Sequence, residues 1–392
     1  MREIFFNREN NVSIILAGIF ALIVGMGVAR FAFTSLLPSM LEHRIDISFA
    51  GLLASINYFG YLLGAIFAIF LKELSKKILF FRIGLIICFF TTIFLGLNTN
   101  DFIWIVSRFI AGFGSAMLMV VGSSLVMSRL KFEDKTKAMG IHFSGIGFSI
   151  AVTDIINRVV LQNNTWEKAW IILAILVIIL GSYSFYILNE QKSINFNKIK
   201  GKPFKFDLFV IVLIFTYFTV GVGFVIQGTF LPDIINSIKG LEGFGSISWL
   251  LVGLSGIPSC IIWMRLAYSF GSVNIILICM LLLIASILIP IYTTNLFLNL
   301  LSAILYGGTF IALVGLFLNL GGKIASSNPA FLMGALTSSY GVGQIVAPLY
   351  AIALIEKYKN YDSTLYLTAF IMFLGVIILF LNKKKEYLYA NN

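Results

Sequence analysis

The chain reads as long apolar runs separated by short polar breaks. The runs fall at about 12–38, 48–70, 78–97, 102–128, 138–161, 168–188, 208–235, 246–268, 273–291, 296–320, 331–355 and 363–381. A bilayer core of about 30 Å takes roughly 20 residues of helix. Lipid offers backbone groups no water, so each run must be a complete helix. The pattern predicts an all-α integral membrane protein with twelve transmembrane helices. Runs of this length exclude the short alternating segments of an outer-membrane barrel. The first run also exceeds the h-region of a cleavable leader, about 7–15 residues, so it is expected to stay as a membrane helix.

The longest polar stretch, Gln191 to Phe206 with five lysines, follows the sixth run. It predicts a six-helix bundle over 1–190, a cytoplasmic linker over 191–206 and a second six-helix bundle over 207–392. The halves repeat weakly. The first run carries Gly25-Met26-Gly27-Val28 and then Leu37-Pro38, and the seventh carries Gly221-Val222-Gly223-Phe224 and then Leu231-Pro232, two residues closer. Runs three, six, nine and twelve are almost purely aliphatic and aromatic, which suits helices facing lipid all round. The others carry Gly, Ser, Thr, Tyr, Asn and Gln, which allow close helix contact or must face protein or a wet cavity. Two pseudo-symmetric bundles with a binding site between them are the plan of secondary transporters.

Composition agrees. The 392 residues are 59% hydrophobic and 11% charged, with a mean hydropathy of +0.98, whereas an ordinary soluble domain is about 25% charged. This excludes most soluble enzymes, nucleic-acid binders and secreted disulfide scaffolds. Cys88, Cys260 and Cys279 lie inside apolar runs, away from any histidine or CxxC spacing, and read as small apolar helix residues. The net charge of +11 has a topological explanation. If the N-terminus is cytoplasmic, twenty of the 28 Lys and Arg fall in inside segments and six in outside ones, with Arg30 and Arg108 inside spans. The asymmetry predicts a multi-pass protein of the cytoplasmic (inner) membrane with both termini in the cytoplasm. Lys383-Lys384-Lys385 then reads as a stop flank, and no nucleic-acid partner is expected.

Charges inside a membrane cost about 2.5–3.5 kcal/mol each on insertion scales and call for a reason. At 1.5 Å per residue, Arg30 lies about 27 Å from the inner end of its helix, Arg108 about 9 Å from the outer end of the fourth, and Asp154 about 24 Å up the fifth. One carboxylate and two guanidiniums at similar depth leave one positive charge over. One reading pairs Asp154 with Arg108 or Arg30 and leaves the other guanidinium for an anionic group on a substrate. Arginine suits this because its fork matches a carboxylate bidentately. The plainer readings are a structural ion pair between helices, or Asp154 with Arg158 at i+4.

On the fifth span, His142, Ile146, Ser149, Thr153 and Asn157 recur at three and four residues. This mostly polar stripe is expected to face the cavity. His142 could titrate in the working pH range or serve as a hydrogen-bonded polar residue. Asn57, Tyr58, Tyr61, Gln227, Tyr306, Tyr340 and Gln344 could hydrogen-bond a ligand or a neighbouring helix. Trp249 and Trp263 read as interfacial anchors, and the phenylalanines as mostly lipid-facing or core residues, not a stacking platform.

The chain resembles the major facilitator superfamily. Arg108-Phe109-Ile110-Ala111-Gly112 is similar to its R-x-x-x-G signature. Within it, Gly27-Val28-Ala29-Arg30-Phe31-Ala32-Phe33-Thr34, Thr229-Phe230-Leu231-Pro232, Trp249 to Leu254 and Gly341-Val342-Gly343-Gln344-Ile345 resemble the YbfB/YjiJ branch over essentially the whole chain. The resemblance implies the major facilitator fold and an exporter of small organic molecules. Two departures stand out. The loop signature after the second span lacks its acid, reading Lys72-Glu73-Leu74-Ser75-Lys76-Lys77, and Tyr268 stands at the acid's place in the second half. The first span carries Arg30 where drug/proton antiporters commonly carry an acidic residue.

The expectation is a monomeric, proton-coupled exporter working by alternating access, its cargo bearing an anionic group. A facilitative uniporter, or an importer of a sugar or organic acid, is the alternative. An integral-membrane enzyme is remote, since HExxH, G-x-S-x-G and clustered acid/base residues are all missing, and neither a metal nor another cofactor is expected.

Overall fold

The structure is a computed structural model that describes residues 7–71, 73–130, 135–189, 206–325 and 329–383. Twelve long helices make up nearly all of it, with no strand among the described residues. They are α1 (Asn11–His43), α2 (Ile47–Phe70), α3 (Leu74–Leu97), α4 (Asp101–Arg129), α5 (Lys135–Leu161), α6 (Trp166–Ile187), α7 (Leu208–Ser237), α8 (Gly245–Phe270), α9 (Ser272–Tyr292), α10 (Leu296–Ile324), α11 (Pro329–Tyr358) and α12 (Asp362–Asn382). The expected linker, 191–206, lies outside the described residues but for Phe206.

Several helices begin where the sequence supplies a cap. Asn10, Asp46, Asn100, Asp207 and Asn295 each accept from a backbone N–H of the following turn, satisfying donors that a helix start leaves free. The shortest helices, of 21 residues, rise about 32 Å, enough to span a bilayer core. The apolar helices α3, α6, α9 and α12 expose much of their surface, as expected for lipid contact. More surprisingly, α8 and α11 expose as much. Each packs one face on the other bundle and turns residues such as Leu254, Ile262 and Leu349 outward.

The repeat has a register other than the one its glycine pairs suggest. Gly27 packs against Ser149 of α5 and Gly221 against Tyr340 of α11, so each meets the fifth helix of its own bundle. Each stands eleven residues before its proline, Pro38 or Pro232. The apparent two-residue difference disappears, because the glycine at the helix crossing sets the correspondence. By this count Arg30 corresponds to Phe224.

Two stretches widen into π-helix, Ile23–Phe31 in α1 and Met117–Val121 in α4, and they face each other where Gly25 meets Leu118. Such widenings are common at functional sites and disturb the regular backbone ladder. Here side chains bond carbonyls in the widened stretch. Ser115 Oγ donates to the Gly25 carbonyl at 2.6 Å and Arg108 Nη1 to the Ala29 carbonyl at 3.0 Å.

The two bundles meet through α2 against α11 and α5 against α8. The second crossing is very close: a Cβ on Gly147 would lie 2.3 Å from the carbonyl carbon of Gly256, and one on Gly253 would lie 2.5 Å from the Ala151 nitrogen. Small residues are what let helix backbones approach this way in lipid. We term the face with the start of α1 the terminal face and the opposite one the far face. Contacts between bundles persist at both: Gly334 with Ile69 and Gly140 with Met264 near the terminal face, Gly51 with Ile352 and Arg158 with Ser246 near the far face. The expected wet vestibule is therefore contracted in this conformation. What remains at the centre is a void of about 10 Å³, room for about one water.

Candidate functional site

Arg30 projects from the π-helical part of α1 into the space between the bundles. It is 4% exposed, and neither Nε nor Nη2 has a hydrogen-bond partner among the described residues. Its guanidinium carbon lies 4.7 Å from the ring centre of Tyr61, 4.8 Å from Tyr58, 5.3 Å from Phe224 and 5.6 Å from Phe31. Among the ion pairs of the described residues, none involves it. Ring faces offer a cation partial compensation, about 2 kcal/mol or more when desolvated, but they do not neutralise it.

Arg108 is placed differently. Its Nη1 donates to the Ala29 carbonyl, its guanidinium carbon lies 4.7 Å from the ring centre of Phe33, and it does not line the central void. Asn57 Nδ2 donates to the Arg108 carbonyl at 2.9 Å and reaches the Ala29 carbonyl at 3.5 Å. Asn57 and Arg108 thus hold the backbone that presents Arg30.

The void is lined from the first bundle by Met26, Arg30, Phe31, Tyr61, Met119 and Ile146, and from the second by Tyr217, Phe224, Phe310, Val314, Leu318, Thr337 and Tyr340. The second set includes a connected wall of rings. Tyr217 stacks on Tyr340 at 4.7 Å, and Phe224 lies 5.7 Å from Tyr340 and 5.0 Å from Phe310. Phe31, Phe224 and Phe310 are core residues, as expected of most of the phenylalanines, and they also line the void. The reading of Trp249 is corrected. Instead of anchoring at an interface it is fully buried, 6.0 Å from Phe31. Half-buried Trp263 donates to the Gly308 carbonyl of α10.

Asp154 pairs with neither Arg30 nor Arg108. Its Oδ2 accepts from Arg158 Nε at 2.5 Å and its Oδ1 from Ser35 of α1 at 2.6 Å. The i+4 alternative prevails because one helical turn brings the partners together without moving a helix. Arg158 also reaches across the bundles, donating to the Ser246 carbonyl and hydroxyl at the start of α8. Asp154 thus belongs to a contact that closes the far face. Without it, Arg30 and Arg108 both lack a carboxylate partner among the described residues, so the positive excess there exceeds the one charge expected from sequence.

The polar stripe of α5 faces α1 rather than the cavity. His142 Nε2 and Ser123 Oγ are 2.9 Å apart and the imidazole rests on Gly18; Ser149 packs on Gly27; Asn157 is fully buried; only Ile146 lines the void. Gly18 and Gly27 admit α5 so closely that the stripe becomes part of the bundle core.

Of the other candidates, Tyr61 and Tyr340 line the void, and the hydroxyl of Tyr58 lies 2.9 Å from that of Thr229, bridging the bundles. Gln227 exchanges hydrogen bonds with Ser286 of α9, and Tyr306 donates to the Phe224 carbonyl, so both brace the second bundle. Gln344 is fully buried beside the Tyr340 hydroxyl. All three cysteines are buried and free, and no cluster among the described residues could hold a metal ion.

Comparison with known proteins places this geometry in a family. The chain is 33% identical over 151 residues to the multidrug efflux pump SdrM of Staphylococcus aureus (strain N315), a match covering 36% of this chain and 33% of that one. The chain thus spans about a third of that relative's length. The crystal structure of the human organic anion transporter MFSD10 (TETRAN) superposes with a TM-score of 0.69 at 14% identity, covering 94% of this chain and 98% of that one, which shows the shared fold. The family described as "Uncharacterised MFS-type transporter YbfB" matches residues 22–380. Arg30 and nearly all its surroundings fall within that match, and the chain is a member of this YbfB-type family of major facilitator transporters.

Proposed function

We propose that this transporter exports a small organic anion across the cytoplasmic membrane by alternating access, coupled to protons. The observation that carries the reading is Arg30, a buried guanidinium at the bundle interface with no carboxylate partner among the described residues. A fixed positive charge there favours an anionic cargo, and closing the bundles around it strengthens the attraction as water is excluded. The partial match to an efflux pump supports export. The distribution of basic residues supports cytoplasmic termini, making the terminal face the cytoplasmic one. Residues 1–190 and 207–392 would move as the two bundles of a monomer, joined by the 191–206 linker, and the chain would act as a carrier and not as an enzyme.

Asp154 is the carboxylate that suits proton coupling, being the one fully buried acid among the described residues. Ionised, it holds Arg158 against Ser246 and the far face stays shut. Protonated, it would release Arg158 and favour opening to the outside. A carrier without proton coupling is the second reading, favoured by the lack of any carboxylate among the void-lining residues. In proteoliposomes with an imposed pH gradient, organic-anion transport should be saturable and gradient-driven, and should be lost in Arg30→Gln. Transport unchanged by that substitution would overturn the proposal.

A further inference from the structure

We infer that the cargo is an aromatic monoanion, held lengthwise across the interface with its acid group on Arg30 and its ring against Phe224, Phe310 and Tyr340. The inference rests on the organic-anion reading above and narrows it in charge, shape and orientation.

Charge comes first. Among the described residues, those lining the void include one guanidinium and no carboxylate. Arg108 is turned to the Ala29 carbonyl and Phe33. One anionic group is therefore matched, and a second on the same cargo would be buried without a partner, which is costly. A cationic aromatic compound would find ring faces but would meet Arg30 already among them.

Polarity comes second. Beyond Arg30, the polar side chains at the void are the hydroxyls of Tyr61, Tyr217, Tyr340 and Thr337; the rest are aromatic, aliphatic or Met. A sugar would bring more hydroxyls than this lining can pair, and an unpaired buried polar group loses a large part of its binding energy. An apolar body suits the lining well.

Shape comes third. The acid-binding group lies on the first bundle and the ring wall on the second, where Phe310 and Tyr340 lie 5.0 and 5.7 Å from Phe224. Rings in such a wall favour offset or edge contacts with another ring, worth about 0.5–1.5 kcal/mol beyond burial. Met26 and Met119 flank the void and adapt readily to a flat, polarisable ligand. With so little space between the closed bundles, a planar body requires the least separation to enter.

The test is ligand-induced thermal stabilisation and equilibrium binding with the purified full chain. Probes are 2-naphthoate, octanoate, naphthalene-2,6-dicarboxylate, 2-naphthylmethanol and tetraphenylphosphonium. 2-Naphthoate should bind at least tenfold tighter than any other. Tyr340→Leu and, separately, Phe310→Leu should weaken 2-naphthoate at least fivefold and leave octanoate within twofold. Arg30→Gln should abolish binding of both acids. Equal affinity for octanoate and 2-naphthoate, or tighter binding of the dicarboxylate, would overturn the aromatic-monoanion inference while leaving the organic-anion reading standing. Preferred binding of the alcohol or the phosphonium, insensitive to Arg30→Gln, would sink both. Should a leucine variant fail to fold, the ranking of the five probes on the unaltered protein decides the matter.

Discussion

Arg30 and Phe224 occupy corresponding positions on the first helices of the two bundles, and they touch: the guanidinium carbon lies 5.3 Å from the ring centre. The repeat thus places a charge on one side of the interface and an aromatic face on the other. Under the proposed reading, a ligand between them would meet two different half-sites, although the helices carrying them are related by repetition. That difference gives the cavity a polar end and an apolar end.

The first prediction follows from the cost of that charge. A centrally placed arginine costs about 2.5–3.5 kcal/mol on insertion scales, and the surrounding rings return only part of it. Arg30→Met keeps the length and apolar stem of the side chain and removes the charge. The variant should melt several degrees higher than the unaltered protein and transport at least tenfold more slowly. Thermal unfolding in detergent and transport in proteoliposomes check the two halves. A variant that is less stable and equally active would contradict the role given to Arg30.

A second prediction concerns the far-face contact. Asp154 holds Arg158, and Arg158 binds Ser246 across the interface. Asp154→Asn imitates the protonated carboxyl and weakens the charge-assisted bond, typically by about 1.5 kcal/mol, or roughly tenfold in the closed-to-open ratio. The distance between spin labels on the far ends of α5 and α8 should lengthen in this variant at neutral pH. In the unaltered protein it should lengthen only as the pH falls through the titration of Asp154. Distances that stay fixed in both experiments would leave Asp154 as a structural ion pair.

A third prediction tests the close crossing between bundles. A Cβ on Gly147 would stand 2.3 Å from a backbone carbon of Gly256, with no flexible side chain able to yield. Gly147→Ala should therefore force α5 and α8 apart, at an overpacking cost of about 1–3 kcal/mol. Transport should fall at least tenfold because the closed state is the one penalised. Gly140→Ala, whose nearest contact is the Met264 sulfur at 3.5 Å, should be almost neutral in the same assays.

Much of this arrangement is legible in the sequence, for identifiable reasons. Twelve spans follow from run length alone. Arg30 is conspicuous because a charge inside an apolar helix has few uses. The ring wall is not legible, because Phe224, Phe310 and Tyr217 lie in helices apolar on every side, where periodicity gives no contrast between lipid-facing and cavity-facing positions. The partner of Asp154 remains ambiguous from spacing, since Arg108, Arg30 and Arg158 are all at reachable depth. The direction of the α5 stripe is hidden as well, because it depends on Gly18 and Gly27 of another helix. A helix with a polar face turns it toward whatever neighbour leaves space, and the glycines of α1 leave that space.

The last prediction follows from the position of His142. A histidine in a transporter invites a proton-coupling role, and one facing a wet cavity could gain and lose its proton in each cycle. Here the imidazole is 1% exposed, shares a 2.9 Å hydrogen bond with Ser123 of α4 and sits on Gly18 of α1. A coupling group needs access to water from one side at a time, and this site lies within one bundle, whose internal packing a rocking motion preserves. His142→Gln retains a polar group of similar reach toward Ser123. It should leave the pH profile of transport unshifted, with a rate within about twofold, while His142→Ala should lower the melting temperature through a cavity and an unpaired hydroxyl, at about 2–4 kcal/mol. A pH profile displaced by the glutamine variant, with stability unchanged, would move the coupling role from Asp154 to His142.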